Sequence, residues 1–279
     1  MRYKTAAAFR RALTDHLNTR ARQEGVSVNR LQKQLAFERF LARLFHSGGE
    51  RWVLKGGYAL ELRLSGHARA TRDLDLNVQP PVMADLLDEL QRAAELALGD
   101  YFEFNVSAPT SRGELAGPPL GGYRFRVEVR LDGRRFEGFP LDVGQGDEMV
   151  REPDHLPGQL DLAFAGLTTP EFPVYPLEDH FAEKLHAYTT PRENPSRVKD
   201  LVDMLLLIEL GLAPTPLLQQ SINATFERYA RHTLPEVLPE PPPEWQEPFS
   251  QLAAEVDLPV SSLKDAYTSL EAFLRSTVG

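Results

Sequence analysis

The chain has 279 residues, 25% of them charged and 42% hydrophobic, proportions that exclude a disordered or collagen-like chain and allow a sizeable buried core. It contains no cysteine, which excludes disulfide scaffolds, thiol nucleophiles and zinc sites built on thiolates. Its net charge of −9 is unevenly spread: residues 1–72 hold 15 Lys/Arg against 5 Asp/Glu and the remainder 16 against 35, which points either to a polyanion contact on the basic side or to solvated helix faces.

In chain order, Phe9, Leu13 and Leu17, then Leu31, Leu35, Phe40, Leu41 and Leu44, recur near helical spacing and predict two basic amphipathic helices within residues 5–47. Trp52-Val53-Leu54 predicts a short strand, Gly56-Gly57 a turn, and Tyr58 to Leu64 a helix start. Asp73 to Val78 alternates carboxylate and aliphatic residues as a strand does, and Val82 to Leu98 returns to helical period. The alternation of Phe125, Val127, Val129 and Leu131, the turn dipeptide Asp132-Gly133 and the run Phe136 to Val143 predict a hairpin. Five prolines between Gly144 and Pro176 mark a loop-rich boundary. Beyond it the pattern is helical, with stripes at Leu177, Phe181, Leu185 and Tyr188 and at Val198, Leu201, Val202, Leu205 and Leu206. The run Pro235 to Pro248 predicts a stiff connector rather than a helix, leaving a final helix near 258–275. No stretch approaches the ~18 apolar residues of a membrane span, and the N-terminus lacks a secretory apolar region. A cytoplasmic protein without membrane contact is therefore expected.

Asp73-Leu74-Asp75 is the first pattern that carries chemistry. Side chains at i and i+2 of a strand share a face, so the carboxylates project together, about 6.6–7 Å apart at their backbones, while Leu74 and Leu76 turn to the core. Such a pair either holds Mg2+, whose remaining ligands are water and substrate phosphates, or lines the wet face of a half-exposed strand. Gly56-Gly57 either lets backbone N–H groups approach an anion at a helix start or is ordinary chain reversal. No Gly-Lys-[Ser/Thr] follows, so it is not a Walker loop. Asp142, between Leu141 and Val143, is an acid in an apolar context that either needs a cation or faces solvent at a strand end. Further on, Lys184 lies at the edge of its helix's apolar stripe, and Asp200 and Asp203 share a face of the next helix. The ammonium is either held inward toward a triphosphate or part of a salt-bridged helical hairpin.

Four short segments occur in order: Lys55-Gly56-Gly57-Tyr58-Ala59-Leu60-Glu61-Leu62-Arg63, Arg69-Ala70-Thr71-Arg72-Asp73-Leu74-Asp75, Glu183-Lys184-Leu185-His186-Ala187 and Asp200-Leu201-Val202-Asp203. Their combination resembles the AbiEii/AbiGii family of nucleotidyltransferase toxins, which includes the MenT-like enzymes. The resemblance implies an α/β (α+β) fold of the polymerase-β-like nucleotidyltransferase type, a mixed sheet with flanking helices. Its parts would be basic N-terminal helices (1–50), a nucleotidyltransferase core (51–175) and a C-terminal helical domain (176–279). It also implies that Asp73 and Asp75 bind Mg2+ or Mn2+ with Asp142 as a third ligand, and that Lys184 and Asp200 are the essential pair of the helical half. Lys55, Gly56, Gly57, Arg69, Arg72 and Lys184 would hold the nucleotide, Arg69 and Arg72 either steadying the triphosphate or pairing with Asp73 or Asp75. Thr71 occupies the position of a serine that is phosphorylated in some members.

The implied reaction transfers a nucleoside monophosphate, a pyrimidine in the MenT-like members, from an NTP to the 3′ acceptor end of tRNA. Translation would thereby be blocked, within a type IV-like toxin–antitoxin or abortive-infection system that supplies an antitoxin partner. The basic N-terminal helices would meet the acceptor's phosphate backbone. Two other classes suit the same residues: nucleotidylation of a small molecule or protein hydroxyl, and a non-catalytic binding module.

Overall fold

Capping residues set the first helix boundaries. In a computed structural model, which describes all residues except 65–67, 81–85, 109–114, 116–118, 192–196 and 279, and all but the side chains of residues 50 and 278, Thr5 opens α1 (Ala6–Glu24) by accepting from the Ala8 N–H. Gly25 ends that helix in the left-handed region, and Ser27 opens α2 (Val28–Gly48) by accepting from the Arg30 N–H. The apolar positions named above on both helices are buried.

β1 (Trp52–Lys55) runs straight into α3 (Gly56–Leu64) without a separate turn, Gly56 making the corner at φ +67°. β2 (Leu74–Val78) follows, then α4 (Leu86–Ala94), which ends short of Leu98; the expected start at Val82 lies outside the described residues. β3 (Phe102–Ser107) is absent from the expected elements, although Phe102, Phe104 and Val106 alternate with polar residues. β4 (Gly122–Leu131) and β5 (Arg134–Gln145) form the expected hairpin. β6 (Asp154–Pro157) and β7 (Glu171–Val174) lie in the stretch expected to be loop. Both have only four residues, and Pro157 and Pro173 in them lack the N–H that a longer ladder would use.

The strands form one mixed sheet in the order β3-β4-β5-β2-β1-β7-β6, with β2 parallel to β5, β1 parallel to β7, and antiparallel pairing of β1 with β2 and of β4 with β3 and β5. On one face Phe125, Val127, Val129, Phe139, Leu141, Val143, Leu74 and Leu76 are buried, and α2 and α4 cover this side. The alternate residues Asp75, Asp142, Arg124 and Arg126 consequently share the other face. Next to Gly57, Tyr58 is fully buried, edge-on to Phe37 at 5.0 Å, and donates its hydroxyl proton to Glu38 at 3.1 Å. Burial pushes the Glu38 carboxyl up, opposed by hydrogen bonds from the Gln159 N–H and Tyr58. This buried network fixes the beginning of α3.

The chain divides into two units. The sheet unit comprises Met1–Tyr58, Ala70–Asp147 and His155–Val174. The helical unit comprises Ala59–Arg69, Glu148–Asp154 and Tyr175–Gly279. Its core joins α5 (Leu177–Thr189), α6 (Val198–Glu209), α7 (Pro216–Tyr229), α8 (Gln246–Glu255) and α9 (Leu263–Val278) around Phe181, Leu185, Leu201, Phe226, Phe249 and Leu270. α8 corrects the expected connector, because Pro248 falls in the first helical turn, where a missing N–H costs no intrahelical bond. α9 begins at Leu263 rather than 258 because Ser262 caps it, accepting from the Asp265 N–H at 3.1 Å. Among the described residues no helix is long and apolar enough to cross a membrane.

Candidate functional site

The pairing of β2 with β5 sets Asp75 directly beside Asp142, while the flanking Leu74, Leu76, Leu141 and Val143 are buried in the core. Asp73 precedes β2. Thr71 orients it, donating from its hydroxyl to the Asp73 carboxylate at 3.2 Å. Each of the three carboxylates offers one oxygen, and these oxygens lie within 4.8 Å of one another. Oxygens across an octahedral Mg2+ are about 4.2 Å apart, so small side-chain rotations bring the set onto one ion. The donors are hard oxygens, as Mg2+ or Mn2+ requires.

Gly56 is the partner of this cluster. A Cβ added there would fall 2.7 Å from the Asp75 carboxyl carbon, and the backbone occupies the left-handed region. Both constraints demand glycine, and they set the start of α3 against Asp75. Gly57 is buried as the second residue of the helix. Lys55 stands opposite Asp75 in the β1–β2 register, yet its ammonium lies on the fully buried Asp147 at 2.6 Å. The carbonyl of Asp147 in turn accepts from Asn77 at 2.6 Å and from Gln79.

One participant carries no motif. Arg124 stands opposite Asp142 on β4 and donates to both its carboxylate oxygens at 2.6 Å, with Asp73 at 3.8 Å. This guanidinium is a cation seated at the triad, and its presence shows that the carboxylates converge on a position that suits positive charge.

In the helical unit, Lys184 reaches Asp203 at 2.8 Å and Asp200 at 3.3 Å, and Arg69 forks onto both oxygens of Asp203 at 2.9 Å. Arg197 adds an ion pair to Asp200 at 3.2 Å. The helical hairpin is thus salt-bridged. The adjacent carboxylates hold the Lys184 ammonium above the usual lysine range despite burial, and the two cations hold Asp203 well below the usual carboxylate range. Arg69 thus pairs with Asp203. Arg72 is exposed. In the sequence Asp203 stands out only as a neighbour of Asp200, and no local pattern marks Asp147.

The basic surplus of residues 1–72 is largely met inside the fold. Arg10, Arg39, Arg43, Arg51 and Lys55 pair with Asp132, Asp100, Glu89 and Asp147 in the sheet unit, and Arg63 and Arg69 pair with Asp154 and Asp203 in the helical unit. Arg2, Lys4, Arg11 and Arg22 remain exposed.

The family described as "Nucleotidyl transferase AbiEii toxin, Type IV TA system" matches residues 39–274. No curated protein matches the sequence. The solved structure of the MenT4 nucleotidyltransferase toxin of Mycobacterium tuberculosis H37Rv covers 99% of both chains at 17% identity with a TM-score of 0.57, which shows a shared fold. JHP933 of Helicobacter pylori aligns over 88% of this chain and 92% of its own at 14% identity with a TM-score of 0.47. The antibiotic-resistance factor ANT(2'')-Ia aligns over 71% and 95% at 17% identity with a TM-score of 0.36.

Proposed function

Because the chain belongs to the AbiEii family of nucleotidyltransferase toxins, we propose that it is a metal-dependent enzyme that transfers a nucleoside monophosphate, a pyrimidine, from an NTP to the 3′ acceptor end of tRNA. A cognate antitoxin of the same type IV system restrains it in the cytoplasm. The observation that carries this reading is the convergence of Asp73, Asp75 and Asp142 beside the Gly56 corner. The three carboxylates hold a divalent ion, Mg2+ or Mn2+. When bound, that ion neutralises phosphate charge and lowers the pKa of the attacking hydroxyl.

The chain's own groups do the rest. The first-turn N–H groups of α3, at Gly56 and Gly57, donate to phosphate oxygens, and the exposed Arg72 beside Asp73 adds positive charge there. With the triphosphate so oriented, the acceptor oxygen attacks the α-phosphorus in line. The new O–P bond forms as the bond to pyrophosphate breaks, and the acceptor proton leaves to solvent. Lys55 fixes β1 through Asp147, while Lys184, Asp200 and Arg69 are required because they hold the helical unit together. Exposed Arg2, Lys4, Arg11 and Arg22 contribute sequence-independent attraction for the RNA backbone. Thr71 is buried against Asp73, so a phosphate added there would bring negative charge to the metal ligands and switch the enzyme off.

Incubation of the purified protein with each labelled NTP, Mg2+ and total tRNA tests this reading. Label entering tRNA from CTP or UTP is expected. Label entering only protein or small molecules would replace the acceptor, and no incorporation at all would favour a binding module.

A further inference from the structure

Arg124 lies in none of the four family-like segments, yet it makes a short two-point contact at the triad. Its Nε donates to Oδ1 of Asp142 and its Nη2 to Oδ2, each at 2.6 Å, and Nη2 lies 3.8 Å from Oδ2 of Asp73. A two-point contact this short is the mark of a charge-assisted fork. The side chain is nonetheless 50% exposed, so it can leave Asp142 for water without crossing the core.

We propose that Arg124 is the resident counter-cation of the triad and competes with the divalent ion for Asp142, so that metal loading and release of Arg124 are one exchange. This inference rests on the metal reading of the triad. The reason is charge at close range: the guanidinium already lies 2.6 Å from both Asp142 oxygens, and a divalent ion taking the same carboxylate as a ligand meets that positive charge within a few ångströms, a repulsion relieved when Arg124 swings out. Metal affinity is therefore reduced by about tenfold while Arg124 is in place, the scale of one charge-assisted hydrogen bond. Arg126 is the internal comparison. It lies two residues along the same strand and face, is 66% exposed, and its nearest carboxylate is Glu128 at 3.8 Å rather than the triad.

The test is a Mn2+ titration of the full chain, with free Mn2+ read by electron paramagnetic resonance, for wild type, Arg124→Ala, Arg124→Lys, Arg126→Ala and Asp75→Asn. Circular dichroism melts confirm that each variant is folded. Arg124→Ala is expected to bind Mn2+ about tenfold tighter or more. Arg124→Lys, which keeps the charge but loses the fork, should fall between it and wild type, and Arg126→Ala should stay within about twofold of wild type. Asp75→Asn should lose binding. A wild-type affinity in Arg124→Ala, or a weaker one, overturns the exchange, as does equal tightening by Arg126→Ala, which would signal diffuse charge. If wild type and Arg124→Ala both fail to take Mn2+ while folded, the metal reading falls and the inference with it.

Discussion

In the helical unit Asp203 is fully buried and meets both Lys184 and Arg69, whereas in the sheet unit the Asp73 side chain is 39% exposed and Arg124, the cation nearest to it, is half exposed. The same residue types build both clusters. The first holds two carboxylates among three cations, Lys184, Arg69 and Arg197, so both carboxylates are paired and the positive charges outnumber them. The second gathers three carboxylates, with the half-exposed Arg124 guanidinium on Asp142. A buried, paired cluster holds helices in register, since breaking it strands a buried charge. An open cluster with surplus carboxylates keeps its capacity for a divalent cation.

That contrast can be broken by substitution on either side. Asp75→Ala should reduce nucleotide transfer by about 10³-fold or more, the scale of removing a preorganised charged group from a phosphoryl-transfer site. Its melting temperature should stay unchanged or rise, because like charges are relieved. Loss of activity together with unfolding would instead make the triad structural. Asp203→Ala should do the reverse, lowering stability in urea by about 3 kcal/mol or more by leaving Lys184 and Arg69 without their common partner. If stability holds and only transfer is lost, the helical cluster is chemical rather than architectural.

Gly56→Ala sharpens the comparison at the corner itself. It places a methyl group on the Asp75 carboxylate and forces a side chain into the left-handed region, costing about 1–3 kcal/mol and weakening Mn2+ binding in a calorimetric titration. Unchanged binding would show that the corner does not shape the triad. The smallest effect is expected at Asp179 in the helical unit, a buried carboxyl that burial pushes up to about 6 although it accepts from the Val150 N–H. Its folded pKa exceeds the unfolded value of about 3.9, so ionising it costs stability above about pH 6, a cost relieved as pH falls toward 4. Asp179→Asn should therefore raise stability by about 1–2 kcal/mol at pH 7.5, with the gain fading at pH 4 in thermal melts. A gain independent of pH would mean that the carboxyl is not the cause.

Much of this was legible before the fold was known, for physical reasons that also mark where legibility stops. The i, i+2 spacing of Asp73 and Asp75 and the glycine pair are local patterns, and local geometry determines what they present. Arg124 is different. A two-residue Asp132-Gly133 turn without irregularity would set Leu141 opposite Arg124; a bulge between Val129 and Arg130, with Phe136 as the extra residue of β5, shifts the register by one and brings Asp142 there. No composition or periodicity announces that bulge. The charge asymmetry is only partly a surface property for a related reason: basic residues near the N-terminus and acids far along the chain look unbalanced until folding pairs Arg43 with Asp100 and Arg69 with Asp203. The Pro-rich run hid α8 because a proline in a first turn reads like one in a linker.

The central claim is that Asp73, Asp75 and Asp142 together bind a divalent cation. Anomalous scattering from a crystal of the protein soaked in Mn2+ tests it most directly. The account predicts a peak bonded to oxygens of all three aspartates, with Arg124 turned away from Asp142. A peak elsewhere, or none at the triad while Arg124 keeps both its bonds, would contradict it.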